Sequence, residues 1–417
     1  MTDDVIIGLD IGSSVIRVAV CHVVASQEGG SRLQVIGAAS SPSAGMHRGV
    51  VSSLEDVVSA ISQAILRAEQ LTGVPVNRVI LGVNGQHIVL QESRGAVAIA
   101  RPEAEITLSD IERAVLAAKT IAIPANFDIL HVLAKSFSVD GQQGIKDPQG
   151  MTGVRLEVDA TIIETLASHV KNLTKAAARA NVVVDGLVYG PLATASAVLS
   201  KRQKDLGVCL ITLGAATTSI IVFEEGNVLS TAALPFGGDH MTNDIAIGLR
   251  ISIDAAAKIK HALGTALPDT VDRKEQFSVR DYGVESDEVV KRRFVAEIIG
   301  ARLEEVFEHV DKHLASIDRS GMLPVGAVIV GDVARLEGVV DVAKRVLRLP
   351  CTLGQLTDMD TVVDEGNDPG FLPVVGLCSW GHAELFSRAG GGGIRDIFKG
   401  SGDIVKSLRG LFKTFLP

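Results

Sequence analysis

The spacing of apolar residues in the first quarter of the chain predicts a helix. From Leu54 to Leu71 the apolar positions recur three or four residues apart and share one face: Val57, Ile61, Ile65 and Ala68. Polar residues occupy the opposite face. The segment is therefore predicted to be an amphipathic helix that packs on a core.

The same period predicts several more helices. Ser109 followed by Glu112 is the pattern of a capping box, and it predicts a helix that runs to about Lys119. Helical periodicity also covers three further segments: Glu164–Ala180, Thr242–Leu249 and Ala296–Leu314. A strand-rich stretch, NVVVDGLVYG, follows the first of these, which places a strand after a helix.

Two stretches half a chain apart predict strand–turn–strand hairpins. They are VIIGLDIGSSVIRVAV from Val5 and GVCLITLGAATTSIIV from Gly207, and they can be aligned so that Asp10 falls on Thr212 and Gly12 on Gly214. Such a repeat suggests two similar α/β halves that face one cleft. Chance recurrence of small-residue hairpins is the alternative.

Composition limits the function classes. The 417 residues are 47% hydrophobic and only 4% aromatic, which suits helices packed on sheets in two to four domains. A net charge of −9 argues against a general nucleic-acid binder. The N-terminus lacks the pattern of a signal peptide, and no apolar run reaches the ~18 residues of a membrane span.

The cysteines of the chain lie far apart in sequence. None forms a CxxC pair, so zinc binding and thioredoxin-type chemistry have no support, and buried thiols in a reducing cytoplasm are expected for all four: Cys21, Cys209, Cys351 and Cys378.

The C-terminal segment SGDIVKSLRGLFKTFLP predicts an amphipathic helix that begins near Asp403. Its apolar stripe consists of Ile404, Leu408, Leu411, Phe412, Phe415 and Leu416. Its cations lie off that stripe: Lys406, Arg409 and Lys413. At about 22 Å the helix is too short to span a bilayer but can lie in its interface.

Charge and linker composition favour a membrane role for this helix. Residues 394–417 carry a net charge of +3, whereas the rest of the chain is about −12. SRAGGGG, from Ser387 to Gly393, predicts a flexible linker before the helix. A cationic tip on an acidic body fits binding to anionic lipids. A terminal helix docked on its own domain is the alternative.

Several motifs in one order resemble the FtsA family of bacterial cell-division proteins, within the actin-like superfamily. The most specific is GIKDPQGMTGVRLEV, Gly144 to Val158. The others are GLDIGSS near the start, SPSAGMHRGVV (Ser41 to Val51), GVNGQHI (Gly82 to Ile88), DGLVYGPLATASAVL (Asp185 to Leu199), LPFGGDHMTNDIA (Leu234 to Ala246) and VGLCSWG (Val375 to Gly381). With the tail, the resemblance covers essentially the whole chain.

The resemblance implies an α/β fold of the actin-like (ribonuclease H-like) type, with two lobes and an inserted α+β subdomain of the SHS2 type. The first lobe would comprise residues 1–84 and 164–203, and the insert residues 85–163. The second lobe would comprise residues 204–265 and 326–386, with a smaller subdomain at 266–325. A linker, 387–402, and the membrane-targeting helix, 403–417, would follow.

The resemblance also implies a function. Proteins of this family tether filaments of the tubulin-like FtsZ to the cytoplasmic face of the cytoplasmic membrane at the division site. They polymerise through the insert and recruit later division proteins. Arg302 and Glu305 match the family region that receives the C-terminal peptide of FtsZ. A solvated i,i+3 ion pair on a helix face is the alternative for these two residues.

ATP with Mg²⁺ is the cofactor that the family implies for the cleft. The matching positions are Asp10, Gly12, Ser13, Ser14, Gly214 and Gly331. Several departures from the family pattern argue against tight binding. Thr212 stands in place of the second aspartate, and Ala215 and Ala216 stand in place of glycines. Val15 stands in place of a lysine, Gly331-Asp332 in place of a paired glycine, and Ala256 near the place of a nucleoside-binding glutamate. Alanine in a left-handed conformation would cost about 1–2 kcal/mol. We therefore expect weak or absent ATP binding, no useful hydrolysis, and no catalytic residue.

Two other classes of protein fit parts of the sequence. An ATPase or sugar kinase of the same superfamily would need a catalytic carboxylate, and Thr212 argues against one. A soluble scaffold of the PilM type shares the insert layout and binds a partner's peptide, but it lacks a basic amphipathic tail.

Overall fold

The structure, a computed structural model, describes residues 5–25, 31–100, 105–120 and 123–389. The membrane-targeting residues predicted at 403–417 and most of the predicted linker lie outside these ranges. In the described part of the chain, no helix is long and apolar enough to cross a bilayer.

The secondary structure alternates short strand groups with helices. In chain order the strands are β1 (Val5–Ile11), β2 (Val15–Ala25), β3 (Ser31–Pro42), β4 (Met46–His47), β5 (Val50–Val51), β6 (Arg78–Val83), β7 (Val89–Ala98), β8 (Phe127–Val139), β9 (Gln142–Ile145), β10 (Arg155–Leu166), β11 (Val183–Tyr189), β12 (Val208–Leu213), β13 (Thr218–Glu224), β14 (Asn227–Leu234), β15 (Gln276–Ser278), β16 (Val289–Lys291), β17 (Gly326–Val330), β18 (Cys351–Leu353) and β19 (Met359–Thr361). The α-helices are α1 (Leu54–Thr72), α2 (Leu108–Ala118), α3 (Ala167–Arg179), α4 (Gly190–Val198), α5 (Lys201–Leu206), α6 (Gly238–Leu249), α7 (Ile253–Leu263), α8 (Arg292–Ser316), α9 (Val339–Leu347) and α10 (Leu372–Ala389).

Two sheets with the same internal arrangement form the centres of the two lobes. The first has the order β11-β6-β1-β2-β3-β19 and the second the order β14-β13-β12-β17-β18. In each, three consecutive strands pair antiparallel, and a parallel strand joins the outer side of the first of them. Because β1 and β12 hold equivalent places, the repeat seen in sequence corresponds to a repeat in strand topology.

Apolar cores lie between the sheets and helices, and the core of the first lobe continues into the second lobe, where it includes Leu210 and Val328. In the first lobe, Ile61 of α1 and Leu173 of α3 pack against Leu9 and Leu81 of the sheet. The second-lobe core includes Phe307 on α8. The large buried area of these cores, rather than local propensity, holds the helices in place.

The insert is a separate small sheet covered by one helix. Its strand order is β7-β10-β8-β9, and all neighbours pair antiparallel. Ile111 of α2 packs on Leu156 and Ile162 of β10 to form its core. Gly95 on β7 lets α2 approach closely, since a Cβ there would lie 2.0 Å from the carbonyl oxygen of Ala114.

Two predicted helix starts are wrong. The helix predicted from Glu164 begins at Ala167, because Glu164 continues β10, where it pairs with Val89 and Ile129 and is 2% exposed. The capping box is formed by Thr107 and Asp110 rather than by Ser109 and Glu112. The Asp110 carboxylate accepts the Thr107 backbone N–H at 2.9 Å, so the cap of α2 lies two residues earlier than predicted.

Other sequence predictions are confirmed with small changes of length. The helix predicted from Leu54 is α1, which ends one residue later, at Thr72. Two more helices begin four residues before their predicted starts, α6 at Gly238 and α8 at Arg292. All four cysteines are free and buried, as expected.

Candidate functional site

Two hairpin turns face one cleft between the lobes. The turn from β1 to β2 and the turn from β12 to β13 line the same cavity. The structure brings together there every residue that the sequence assigned to cofactor binding: Asp10, Gly12, Ser13, Ser14, Gly214 and Gly331. Whether a nucleotide occupies the cavity stays a prediction.

Both turns are closed by the same backbone hydrogen bond. Gly12 N–H donates to the Val15 carbonyl at 3.1 Å, and Gly214 N–H donates to the Thr217 carbonyl at 3.0 Å. Within the described residues, the following amides of each turn have no backbone acceptor; they belong to Ser13, Ser14, Ala215 and Ala216. Groups of free N–H donors in a turn are suited to bind a phosphate.

The alanines of the second turn are not strained. The sequence led us to expect left-handed backbone at Ala215 and Ala216, but neither has a positive φ. That expectation is wrong, because the turn closes in a conformation that alanine adopts freely. Both alanines line the cavity.

The N-terminus of α6 contacts the second turn directly. Gly238 N–H donates to the Gly214 carbonyl at 3.0 Å, and Asp239 N–H donates to the Ala215 carbonyl at 2.8 Å. A Cβ at Gly237 would lie 2.4 Å from the Ala215 carbonyl oxygen, so glycine is required for this contact. Two of the amides that a helix start offers to an anion are therefore already used.

Asp10 is the one carboxylate of the predicted site. It is the second-last residue of β1, and its Oδ1 atom accepts a hydrogen bond of 3.0 Å from the Asn84 side-chain amide. Burial raises the pKa of Asp10 above its usual value; the charge of Arg17 and the Asn84 hydrogen bond lower it, and Asp332 raises it further. A carboxylate whose ionisation is opposed by burial is a frequent feature of functional clefts.

Thr212 occupies the place equivalent to Asp10 in the second hairpin. Its Oγ1 atom is buried and has no hydrogen-bond partner among the described residues. A hydroxyl supplies no charge, so the carboxylate donor set for Mg²⁺ at the turns is reduced to Asp10. In the described ranges, no group of three His, Cys, Asp or Glu side chains is placed to hold a metal ion. The turns thus fit a phosphate, and the two hairpins offer one carboxylate, Asp10, to a divalent cation.

Arg17 is the main residue of the cleft that the sequence reasoning did not find. It lies on β2, directly opposite Asp10 in the strand register, and its side chain is 9% exposed. Its guanidinium donates to Asp332 Oδ1 at 2.5 Å and lies 5.2 Å from the centre of the Phe371 ring. A single arginine inside the apolar run VIRVAV was the available signal, because a charge on a buried strand needs a partner.

A wider cavity of about 770 Å³ continues from the turns toward α7. It is lined by Lys260 and His261, whose pKa values are both lowered by burial. Ala257 is the alanine that faces this cavity, whereas Ala256, which the sequence placed there, is buried in the second-lobe core. The volume falls within the range of small-molecule sites.

Buried histidines lie beneath the cleft. His169, which lines it, packs against His87 with the ring centres 4.1 Å apart and the ring planes tilted by 56°, and burial lowers the pKa of His169 to about 4. His131 accepts the backbone N–H of Tyr189 at 2.9 Å. Burial lowers the pKa of His131 to about 3. These rings are neutral at pH 7, so they pack as part of the first lobe rather than as cations.

Comparison with known proteins decides the family. The model described as "Cell division protein FtsA" matches residues 209–376, and the model described as "SHS2 domain inserted in FTSA" matches residues 85–164. The FtsA protein of Pseudomonas aeruginosa is 35% identical over 376 residues, which is 90% of this chain and 89% of that protein. The chain belongs to the FtsA family of cell division proteins.

Other FtsA proteins match over similar lengths. The Bacillus subtilis protein is 36% identical and covers 83% of this chain and 77% of its own length. The Escherichia coli protein is 30% identical and covers 90% of both. The resemblance found in the sequence is therefore confirmed at the level of the family.

Solved structures confirm the actin-like fold. The PilM–PilN type IV pilus biogenesis complex contains a chain with a TM-score of 0.62 and 17% identity, covering 90% of this chain and 98% of that one. MreB5 of Spiroplasma citri, bound to ADP, has a TM-score of 0.55 and 11% identity, covering 94% and 99%. At these identities the likeness concerns the fold alone.

The two residues matched to the FtsA partner region lie together on α8. Arg302 donates to the Asp244 carboxylate of α6 at 2.6 and 3.0 Å, and it also pairs with Glu305. The Asp244 hydrogen bond raises the pKa of Arg302. The i,i+3 pair that the sequence offered as an alternative is therefore present, and Asp244 was not found by sequence.

Exposed apolar side chains lie near this ion-paired group. Ile247 on α6 is 76% exposed and Phe294 on α8 is 42% exposed. A Cβ at Gly248 would lie 3.9 Å from the Phe294 ring, so α6 and α8 meet at this point. The combination of anchored charge and exposed apolar surface is typical of protein-binding sites.

The lipid-binding residues predicted between Ile404 and Leu416 lie outside the described part of the chain.

Proposed function

We propose that this chain is a membrane-tethering adaptor that holds FtsZ filaments at the cytoplasmic face of the cytoplasmic membrane. Membership of the FtsA family over about nine-tenths of the chain is the observation that carries the proposal. The chain would bind FtsZ, membrane lipid and other copies of itself at different surfaces. It also recruits later cell-division proteins to the division site.

The C-terminal segment supplies the membrane anchor. Its sequence offers six large apolar side chains on one stripe and three cations off it. Burying six such side chains is worth at most roughly 9–18 kcal/mol, and partial insertion and helix ordering reduce this strongly. Each cation adds about 1 kcal/mol at an anionic surface. One such helix binds reversibly, so self-assembly through the insert multiplies its affinity by avidity.

The FtsZ peptide would bind on the surface formed by α6 and α8. The Asp244–Arg302–Glu305 group holds its charges in fixed positions. A peptide that carries both apolar and charged residues could bury the former on Ile247 and Phe294 and pair the latter with this group. Such a surface gives specificity through charge complementarity and affinity through apolar burial.

The cleft in this account has no catalytic task. Phosphoryl transfer needs a carboxylate that orients the attacking water or hydroxyl, together with a bound metal. The position of the second carboxylate is Thr212, and Asp10 is already hydrogen-bonded to Asn84. These features support nucleotide binding that is weak and unaccompanied by useful hydrolysis. They disfavour the kinase and ATPase alternatives.

Co-sedimentation with vesicles tests the anchor. The full chain is expected to pellet with vesicles that contain anionic lipid and to stay in solution with neutral ones. Leu408→Glu or Phe412→Glu should release it, because each inserts a charge into the stripe. Thr414→Glu makes the same change of charge off the stripe and should reduce binding far less. If both stripe variants sediment like the parent chain, the anchor assignment is wrong and the PilM-type scaffold is favoured.

A further inference from the structure

An ion pair joins the two lobes across the cleft. Arg17 belongs to β2 of the first lobe, and Asp332 follows β17 of the second lobe, 315 positions away in the chain. Their side chains are 9% and 29% exposed, and the contact measures 2.5 Å. Because Arg17 is nearly removed from water, its attraction to Asp332 is only weakly screened, and Asp10, opposite Arg17 in the strand register, adds to the compensation of its charge.

Arg17 supplies the cation that the first hairpin otherwise lacks. Val15 and Arg17 are two positions apart on the same face of β2, since side chains alternate along a strand. Both residues line the cavity beside Ser14. Arg17 thus places a positive charge beside the first turn.

Asp332, on the second lobe, supplies the carboxylate that pairs with Arg17. It follows Gly331 at the end of β17, and its carboxylate also accepts a hydrogen bond from Arg335 at 3.0 Å. The preceding residue, Gly331, has φ +97°, and a Cβ there would lie 2.4 Å from the Leu213 carbonyl oxygen. The turn is therefore tightly packed on β12, which fixes the Asp332 carboxylate in the cleft.

One donor of the arginine remains available. Arg17 Nε is buried and has no hydrogen-bond partner among the described residues. The guanidinium is held from the side by the Phe371 ring. A cation fixed in this way beside two turns of free amides would bind a phosphate through Nη2, the donor that Asp332 now occupies.

We propose that Asp332 is a built-in substitute for a nucleotide phosphate: its carboxylate neutralises Arg17 and so holds the two lobes together with no ligand in the cleft. The proposal requires neither the lipid-binding tail nor FtsZ, so its success or failure is separate from that of the adaptor role.

Calorimetry with ADP in the presence of EDTA tests the substitution. Asp332→Asn keeps the shape of the side chain but frees the guanidinium, and it should bind ADP at least tenfold more tightly than the parent chain. Asp332→Gly should do the same and serves as a second variant if the first does not fold. Adding Arg17→Met to either variant should remove the gain.

The control is Glu224→Gln, which breaks a similar ion pair with Arg319 inside the second lobe and should leave ADP binding unchanged.

Hydrogen exchange tests the coupling of the lobes. Without the ion pair, the amides of residues 326–337 and of β2 should exchange faster than in the parent chain, and ADP should restore their protection in Asp332→Asn. Glu224→Gln should not alter exchange in β2. The proposal is overturned if Asp332→Asn and Asp332→Gly bind ADP no more tightly than the parent chain. It is also overturned if they leave the exchange of these segments unchanged.

Discussion

Asn84 donates a 3.0 Å hydrogen bond from its side-chain amide to the Oδ1 atom of Asp10. The two residues come from neighbouring parallel strands of the first lobe, since Asn84 follows β6 and Asp10 lies on β1. The contact fixes the carboxylate at the edge of the cleft. It also occupies one of the lone pairs that a metal ion would use.

The buried carboxylate of Asp10 is expected to lower the stability of the fold at neutral pH. Burial raises its pKa, so the protonated form is favoured in the folded state, and stability is lost as pH rises through that raised value. Asp10→Asn should therefore raise the free energy of unfolding by about 1 kcal/mol at pH 7.5, a usual gain for a single stabilising change.

Urea unfolding at pH 4.5 and pH 7.5 measures this effect. The advantage of Asp10→Asn should be larger at the higher pH, because the parent carboxylate is then ionised. Asn84 can still donate to the new amide oxygen, so the hydrogen bond is kept in the variant. A variant that is less stable than the parent chain at pH 7.5 would show that attraction to Arg17 outweighs burial.

His131 should make the fold sensitive to acid. Its pKa is lowered from 6.5 to about 3, so its contribution to stability is complete above pH 6.5 and is lost as pH falls toward 3. By pH 5 the expected loss from this residue is on the order of 2 kcal/mol, at 1.36 kcal/mol per pH unit.

His131→Gln isolates this contribution. The glutamine oxygen can accept the Tyr189 N–H in place of the imidazole, but it does not titrate. The decrease in unfolding free energy between pH 7 and pH 5 should therefore be about 2 kcal/mol smaller in the variant. An unchanged pH dependence would mean that another group controls acid unfolding, with His169 the next candidate, since its pKa is lowered to about 4.

Restoring an acid to the second hairpin should create a metal-dependent site. Thr212→Asp places a carboxylate opposite Asp10, and repulsion between the two would favour a shared Mg²⁺. Calorimetry with ATP should show at least a tenfold gain in affinity, about 1.4 kcal/mol, that requires Mg²⁺. Thr212→Asn has a similar size without the charge, and it should gain nothing. Equal affinities for both variants would assign the weak binding to the alanines of the turn instead.

The α8 surface should bind the C-terminal peptide of FtsZ through Glu305 rather than through the adjacent Glu304. Glu305 pairs with Arg302, whereas Glu304 pairs with Arg345 on α9. Fluorescence anisotropy with the labelled peptide should show binding weakened at least tenfold by Arg302→Glu and several-fold by Glu305→Gln. Glu304→Gln should bind like the parent chain. Equal losses from the two glutamate variants would place the peptide elsewhere.

Local patterns predicted much of the fold because strands and turns carry their own signals. The two hairpins were readable as apolar runs around small-residue turns, and their alignment placed Asp10 and Thr212 in equivalent positions. The helix predicted from Glu164 started too early because a buried, strand-paired glutamate has the same sequence signature as a helix-starting one. The burial of Glu164 between neighbouring strands, which depends on the whole fold, makes this segment a strand rather than a helix.

The central contact of the cleft could not be predicted in the same way. Arg17 and Asp332 belong to different lobes and lie 315 positions apart. The periodicity of apolar residues reports only on positions close in sequence, so it gives no sign of this contact. Their pairing follows from the meeting of β2 with the turn after β17, which only the folded chain defines. The backbone of the second turn was also mispredicted, because φ at Ala215 and Ala216 depends on how α6 packs against it.

Recruitment of FtsZ to vesicles tests the adaptor role most directly. Purified FtsZ, assembled with GTP, is mixed with anionic vesicles in the presence or absence of this protein, and the FtsZ that floats with the vesicles is measured. We predict that FtsZ floats only when the full chain is present, and that Phe412→Glu and Arg302→Glu each abolish this while Thr414→Glu does not. If FtsZ stays in solution although the protein itself is bound to the vesicles, the tethering function is contradicted.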